Sequence, residues 1–168
     1  MYSFIRRIAL RQTLTMKYYF PVVLMFSTIL AFGQDESVQR KKEFNLDNGV
    51  ALSGYDPVSY FTQNKAVKGK KEFAVVSSGV TYYFATANDK EEFKKNSSKY
   101  EPQYGGWCAF AMGKEGSKVE IDPETFKIID GKLYLFYNKF FNNTLKSWNK
   151  DEAKLHQQAD VNWKKFYR

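Results

Sequence analysis

One cysteine and one histidine are the residues in this chain best suited to nucleophilic or metal chemistry. A single cysteine forms no internal disulfide, so Cys108 is buried, paired with another molecule, ligand-bound or free. A nucleophilic cysteine needs a base beside it, and nothing in the spacing connects His156 with Cys108. No pair of carboxylates and no metal triad is visible. The sequence therefore predicts no enzymatic activity.

Cys108 belongs to a segment in which conformational constraints are dense. Pro102 ends a helix-like stretch, and Gly105 and Gly106 allow backbone conformations that side chains forbid. Two adjacent glycines beside Tyr104 indicate that a ligand or another piece of the chain approaches the backbone closely. The apolar run 107–112 that follows predicts a strand.

A second polar position, Asp56, precedes a proline in the segment 54–61. Its carboxylate is placed to cap a short helix over residues 57–61, or to form a polar group with Tyr60 and Tyr104. Apolar walls with a few polar groups are typical of ligand sites. The predicted site, a small aromatic-lined pocket, consists of Asp56, Tyr60, Tyr104, Gly105, Gly106, Trp107 and Cys108.

The remaining pattern predicts an α+β domain made of small antiparallel β-hairpins, a central helix and a C-terminal helical segment. Turn signals at Asn48-Gly49, Ser78-Gly79 and Asp130-Gly131 predict three hairpins. Thr86 or Asn88 caps the central helix. Residues from 140 onward have a helical pattern, and no internal repeat is evident in the sequence.

The N-terminus has the features of an export signal. The apolar run 18–32 is shorter than a bilayer span and ends in small residues, which predicts a signal peptide over 1–33 and cleavage before Gln34. A retained anchor is the alternative, and the true start is Met1 or Met16. Residues 34–43 are predicted to be a flexible leader and 44–168 a single domain with a C-terminal helical extension. The mature protein is expected to be periplasmic or secreted, with no stable membrane span.

The charge of the chain indicates no nucleic-acid partner. The full sequence carries a net charge of +8, but four basic residues lie before position 34, which leaves 22 Lys and Arg against 18 Asp and Glu. The lysines are interspersed with acids, as on a solvated surface and unlike a stripe that follows phosphates.

Several motifs of the chain resemble the YHS-domain family, in its exported single-domain form. The matching pieces, in the family order, are 54–61 (Gly-Tyr-Asp-Pro-Val-Ser-Tyr-Phe), 81–85, 92–93 with 99–102, 104–109 and 128–135. YHS modules accompany copper-transporting ATPases and some hydroxylases, which implies metal handling. The metal-associated form carries two cysteines where this chain has Ser59 and Ala85, so that site does not carry over.

Three functions follow as hypotheses. The first is an exported, non-catalytic binding module whose pocket takes an unknown small molecule or a protein, with no cofactor. The second is a copper-handling protein that uses Cys108 with Met112, His156 or a partner chain. On a strand, Cys108 and Met112 would lie about 13 Å apart and could not share one ion. The third is a structural or interaction domain in which all the aromatic residues are core.

Overall fold

The structure is a computed structural model that describes residues 36–167, and residues 37–167 belong to one compact unit. The predicted signal peptide lies outside the described residues. The helices are α1 (36–43), α2 (Ser59–Thr62), α3 (Ala87–Lys95), α4 (Ser97–Tyr100), α5 (Ala109–Glu115), α6 (Thr144–Trp148) and α7 (Glu152–Trp163). The strands are β1 (Leu46–Asp47), β2 (Val50–Ala51), β3 (Lys70–Ser77), β4 (Val80–Phe84), β5 (Asp122–Ile129), β6 (Lys132–Phe136), β7 (Asn138–Lys139) and β8 (Asn142–Asn143). The predicted α+β class is confirmed.

The three predicted hairpins form at their predicted turns. They are β1–β2, β3–β4 and β5–β6, all antiparallel. Strand β2 also pairs with β4 in parallel, which joins the first two hairpins into one four-stranded sheet of order β1-β2-β4-β3. Thr86 caps α3, because its hydroxyl accepts a hydrogen bond from Asp89 N at 3.1 Å. The turn chemistry alone thus predicted these elements correctly.

The segment predicted as a flexible leader differs in the structure, where residues 36–43 form the helix α1. Arg40 is buried and its guanidinium donates to both carboxylate oxygens of Glu101. At the end of the helix, the Glu43 carboxylate binds Lys118 and the Glu43 carbonyl accepts from the Trp107 indole at 2.7 Å. Charged contacts with residues distant in sequence stabilise this helix. Such contacts produce no apolar periodicity, so the sequence pattern did not predict the helix.

The predicted strand over residues 107–112 was also wrong, because residues 109–115 form helix α5. Cys108 makes an isolated bridge to Leu135 and then starts the helix, with Met112 N donating to Cys108 O at 3.0 Å. A short apolar run fits a buried strand and a buried helix equally well in sequence. Here both faces of the run are buried, since Cys108 and Ala111 contact one core cluster and Met112 another.

The fold contains an internal repeat that the sequence pattern did not reveal. Strands β3 and β4 recur as β5 and β6 with the same lengths, 52 positions later (70 to 122, 80 to 132). The parallel bridge between Val50 and Thr81 recurs between Pro102 and Leu133. We call residues 50–100 the first repeat and residues 102–152 the second repeat.

The connections before each hairpin repeat as well. Three consecutive residues with positive φ, Leu52–Gly54, precede Tyr55 in the first repeat, and 104–106 precede Trp107 in the second. The N–H of Asp56 donates to Val67 O at 2.8 Å, and that of Cys108 donates to Val119 O at 2.9 Å. Asp56 and Cys108 are therefore equivalent positions of one repeated architecture.

Two core clusters fill the domain. The first joins α2, β4 and α3 with parts of the second repeat, and the second lies between α5, β6 and the C-terminal helices α6 and α7. Within residues 36–167, no helix has the length and apolar composition needed to cross a bilayer.

Candidate functional site

The structure divides the seven predicted site residues between separate environments. Tyr60 belongs to the first core cluster, whereas Tyr104 belongs to the second. The Tyr60 hydroxyl donates to Pro123 O at 2.9 Å and the Tyr104 hydroxyl donates to Asp160 Oδ1 at 2.9 Å. The prediction of one pocket around all seven residues is therefore corrected: their polar groups bind different elements of the fold.

Asp56 is a fully buried carboxylate that joins two elements of the first repeat. Its Oδ1 accepts from Val58 N at 2.8 Å, and its Oδ2 accepts from Ala85 N, the first residue after β4, at 2.7 Å. Burial raises the pKa of Asp56 to about 6, against the lowering effect of these two hydrogen bonds. The predicted cap of a helix over residues 57–61 is corrected, because α2 begins at Ser59 with Val58 at its N-cap position and no side-chain cap. The Asp56 carboxylate instead joins the turn before α2 to the end of β4.

Neither tyrosine of the predicted site is prepared to act as a base. Burial raises the pKa of Tyr60 well above its ordinary value. The pKa of Tyr104 is raised by burial and by the adjacent Asp160 carboxylate. Both phenols remain neutral near pH 7 and serve as hydrogen-bond donors.

Gly105 and Gly106 receive another piece of the chain and not a ligand. A Cβ at Gly105 would lie 2.7 Å from Phe44 Cδ1 and 2.9 Å from Trp163 Cη2. Asn45 adds two hydrogen bonds, from its N–H to Gly105 O at 2.9 Å and from its side chain to Gly106 O at 3.1 Å. The glycines therefore allow Phe44 and Asn45, which follow α1, to pack against this backbone, and Glu43 at the end of α1 accepts from the Trp107 indole.

Cys108 takes part in a closed ring of hydrogen bonds. Tyr137 N donates to Cys108 Sγ at 3.4 Å, and the Thr144 hydroxyl donates to Tyr137 O at 2.9 Å. Because the Thr144 proton is used in this way, the 3.4 Å contact between Sγ and Thr144 Oγ1 is made by the thiol proton. Each polar atom of the ring therefore has a partner within the protein.

A cavity of about 260 Å³ lies against this ring. Cys108 is fully buried in its wall, and Glu115 and Asn142 are exposed at its mouth. The residues that line it are Cys108, Phe110, Ala111, Glu115, Val119, Tyr137, Asn142 and Thr144. Of the predicted site residues, only Cys108 is among them. Sequence reasoning missed the others because Asn142 and Thr144 are ordinary polar residues that reach the thiol only through the β7–β8 hairpin.

The two repeats differ at the position of this cavity. Ala85 N donates to Asp56 across 29 positions, and Tyr137 N donates to Cys108 across the same 29 positions. In the first repeat, Ser59 and Ala85 both hydrogen-bond to Asp56. Their equivalents in the second repeat, Ala111 and Tyr137, line the cavity. At this position the first repeat has the Asp56 carboxylate, whereas the second repeat has the Cys108 thiol with the cavity beside it.

The three soft-metal candidates have different surroundings, although Cys108 and Met112 lie one helical turn apart at the start of α5 and not at the strand spacing that the sequence predicted. Met112 packs in the second core cluster, and Cys108 packs in the first. His156 lies on α7, with its Nε2 2.8 Å from the Tyr134 hydroxyl. Across residues 36–167, no three His, Cys, Asp or Glu side chains are grouped closely enough to hold a metal ion.

No family model, curated protein or solved structure matches the chain with significance. The functional interpretation therefore depends on the geometry described above, and membership of the YHS family is a proposal.

Proposed function

We propose that this protein is an exported, non-catalytic binding module of the YHS type, and that the cavity beside Cys108 is its small-ligand site. The observation that carries the proposal is this cavity, with apolar walls at its floor and polar side chains at its mouth. Phe110, Ala111 and Val119 supply the apolar surface. This combination is typical of small-molecule sites, and the cavity volume lies just below their range of about 300–1,000 Å³, which indicates a ligand of few atoms.

The hydrogen-bond ring specifies which end of a ligand enters first. The Cys108 thiol, the Tyr137 backbone groups and the Thr144 hydroxyl satisfy one another, so these groups of the floor offer no free donor to a ligand. Burying a polar group there would leave it unpaired, at a cost of about 1–3 kcal/mol. The ligand therefore has an apolar end for the floor and a polar end that reaches Asn142 or Glu115.

Native mass spectrometry of the protein purified from its own exported compartment tests the proposal. We expect a retained small molecule of low mass on the wild type. Ala111→Leu adds three carbon atoms to the cavity wall and should abolish retention. Ala153→Leu is the matched control, because Ala153 is exposed on α7 and is not one of the residues that line the cavity.

The outcomes distinguish a ligand site in the cavity from a purely structural domain. Retention that survives Ala111→Leu would contradict the assignment of the cavity. A wild type without any retained molecule, and without stabilisation by small aromatic or aliphatic probes, would favour a purely structural domain. The same spectra give the mature N-terminus, for which we expect Gln34.

Copper handling is the alternative. It requires the thiol to leave its hydrogen-bond ring and to find ligands outside the chain, since Met112 and His156 contact other groups. Titration of Cu(I) into the reduced protein separates the two functions. Saturable binding that is lost in Cys108→Ser would support copper in place of an organic ligand.

A further inference from the structure

The turn between β7 and β8 departs from the chemistry of the other hairpin turns. Asn48-Gly49, Ser78-Gly79 and Asp130-Gly131 each adopt positive φ at both residues, as a two-residue type I′ turn requires. The same backbone occurs at Phe140 (φ 51°) and Phe141 (φ 63°). Bulky residues disfavour this conformation, which glycine and asparagine accept readily. The chain thus uses the ordinary turn residues three times and a strained aromatic pair once.

Within residues 36–167, the two rings pack against no core cluster that would offset this strain. Phe140 is 90% exposed and Phe141 is 110% exposed, and neither belongs to a core cluster of the described residues. Two adjacent, protruding aromatic rings in a strained turn are unusual on a soluble surface and indicate a contact with something outside the chain.

The size and surroundings of the tip favour a lipid surface over a protein. Two phenyl rings offer about 300–500 Å² together, well below the ~800 Å² that each partner of a stable protein complex buries. The hairpin residues beside the rings are three asparagines and Lys139, which is half exposed and lies 4.0 Å from Glu120. A bilayer accepts protruding rings without a complementary pocket, and lysine and aromatic side chains favour its interface.

We infer that the hairpin Asn138–Asn143 is a membrane-docking tip. Phe140 and Phe141 insert at the boundary between headgroups and acyl chains, while Lys139 reaches the headgroup phosphates. The docking is peripheral, because only the turn enters the bilayer. It leaves the compact domain on one side of the membrane, with Asn142 and the cavity mouth close to the lipid surface.

Flotation of the processed, full-length protein with vesicles of phosphatidylethanolamine and phosphatidylglycerol tests the inference. We expect the wild type to float with the vesicles. The double variant Phe140→Asn/Phe141→Gly restores ordinary turn chemistry, so it should lose at least about tenfold in partitioning. Its melting temperature should rise, because the strain is removed. Val76→Asn removes another exposed apolar side chain, on β3, and should leave partitioning unchanged.

A direct readout of insertion does not depend on loss of binding. In Phe141→Trp, the new indole should be quenched by lipids brominated on their acyl chains, whereas the wild-type tryptophans should not. Absence of vesicle binding by the wild type, equal binding by the Asn-Gly variant, or no added quenching would each overturn the inference. A concentration-dependent dimer that the Asn-Gly variant abolishes would assign the tip to a second copy of the chain and would also overturn it.

Discussion

Replacing Asp56 by alanine tests whether this carboxylate joins two elements or only caps one. The substitution leaves two buried N–H groups, those of Val58 and Ala85, without their acceptor. An unsatisfied buried donor costs about 1–3 kcal/mol, so we expect the two together to cost about 2–6 kcal/mol in the free energy of unfolding. Loss of a helix cap alone would cost about 1 kcal/mol.

The pH dependence of the same experiment provides a second check. Burial raises the pKa of folded Asp56 from 3.8 to about 6. Because the folded value lies above the unfolded one, the contribution of this group is fully present below about pH 4 and declines as the pH rises through about 6. The shift corresponds to at most about 3 kcal/mol, and to about 2 kcal/mol after solvent screening is allowed for.

Urea unfolding of wild type and Asp56→Ala at several values between pH 4 and pH 7 measures both effects. The stability difference between the two proteins should be largest at the acid end of this range. Asn143→Ala is the control, since the neutral Asn143 side chain caps α6 by accepting from Leu145 N, and it should cost about 1 kcal/mol at every pH. A cost for Asp56→Ala no larger than that of the control, with no pH trend, would refute the reasoning.

Three further substitutions test other parts of the structure. Gly105→Ala should cost more than about 2 kcal/mol of stability, because the added methyl group meets Phe44 and Trp163. Gly106→Ala makes ordinary contacts and should cost about 1 kcal/mol, from its positive φ alone. Thermal unfolding of the two variants measures the difference. Native Cys108 is fully buried, so Ellman's reagent should modify it at least about a hundredfold more slowly than it modifies the chain in urea. The hydrogen bond from Lys118 lowers the pKa of Glu43, so Lys118→Met should destabilise by about 1–3 kcal/mol at neutral pH, and the difference should shrink as the pH falls below about 4.

The elements predicted correctly from sequence are those specified by local turn chemistry. Asn48-Gly49, Ser78-Gly79 and Asp130-Gly131 each identify a hairpin without reference to the rest of the chain. Helix α1 shows the opposite case. Its stability depends on Arg40 and Glu101, which are far apart in sequence, so local propensity carries no record of their pairing.

The repeat was missed because few of its equivalent residues are alike. Gly54 and Gly106 keep the left-handed turn, and Tyr82 and Phe84 of β4 recur as Tyr134 and Phe136 of β6. The residue that accepts the hydrogen bond after the hairpin changes from Asp56 to Cys108. Few residue types match at the spacing of 52 positions, whereas the equivalent turns, hairpins and hydrogen bonds are evident in the structure.

The candidate site could be predicted only in part for the same reason. Cys108 was identified by its chemistry, and the wall that completes the cavity comes from residues 137–144, whose position depends on the course of β6 and the following hairpin. Asp56 and Tyr104 do not pair, because the Asp56 carboxylate accepts from Val58 N and Ala85 N, whereas the Tyr104 hydroxyl donates to Asp160 on α7.

The two repeats suit different uses in protein engineering. The loop after β6 can be shortened, lengthened or replaced by selection for new ligands, while the corresponding region after β4, anchored by Asp56 and Thr86, is left untouched as the stabilising half. Libraries confined to residues 138–143 would therefore vary a recognition surface while the first repeat stays unchanged and stabilises the domain.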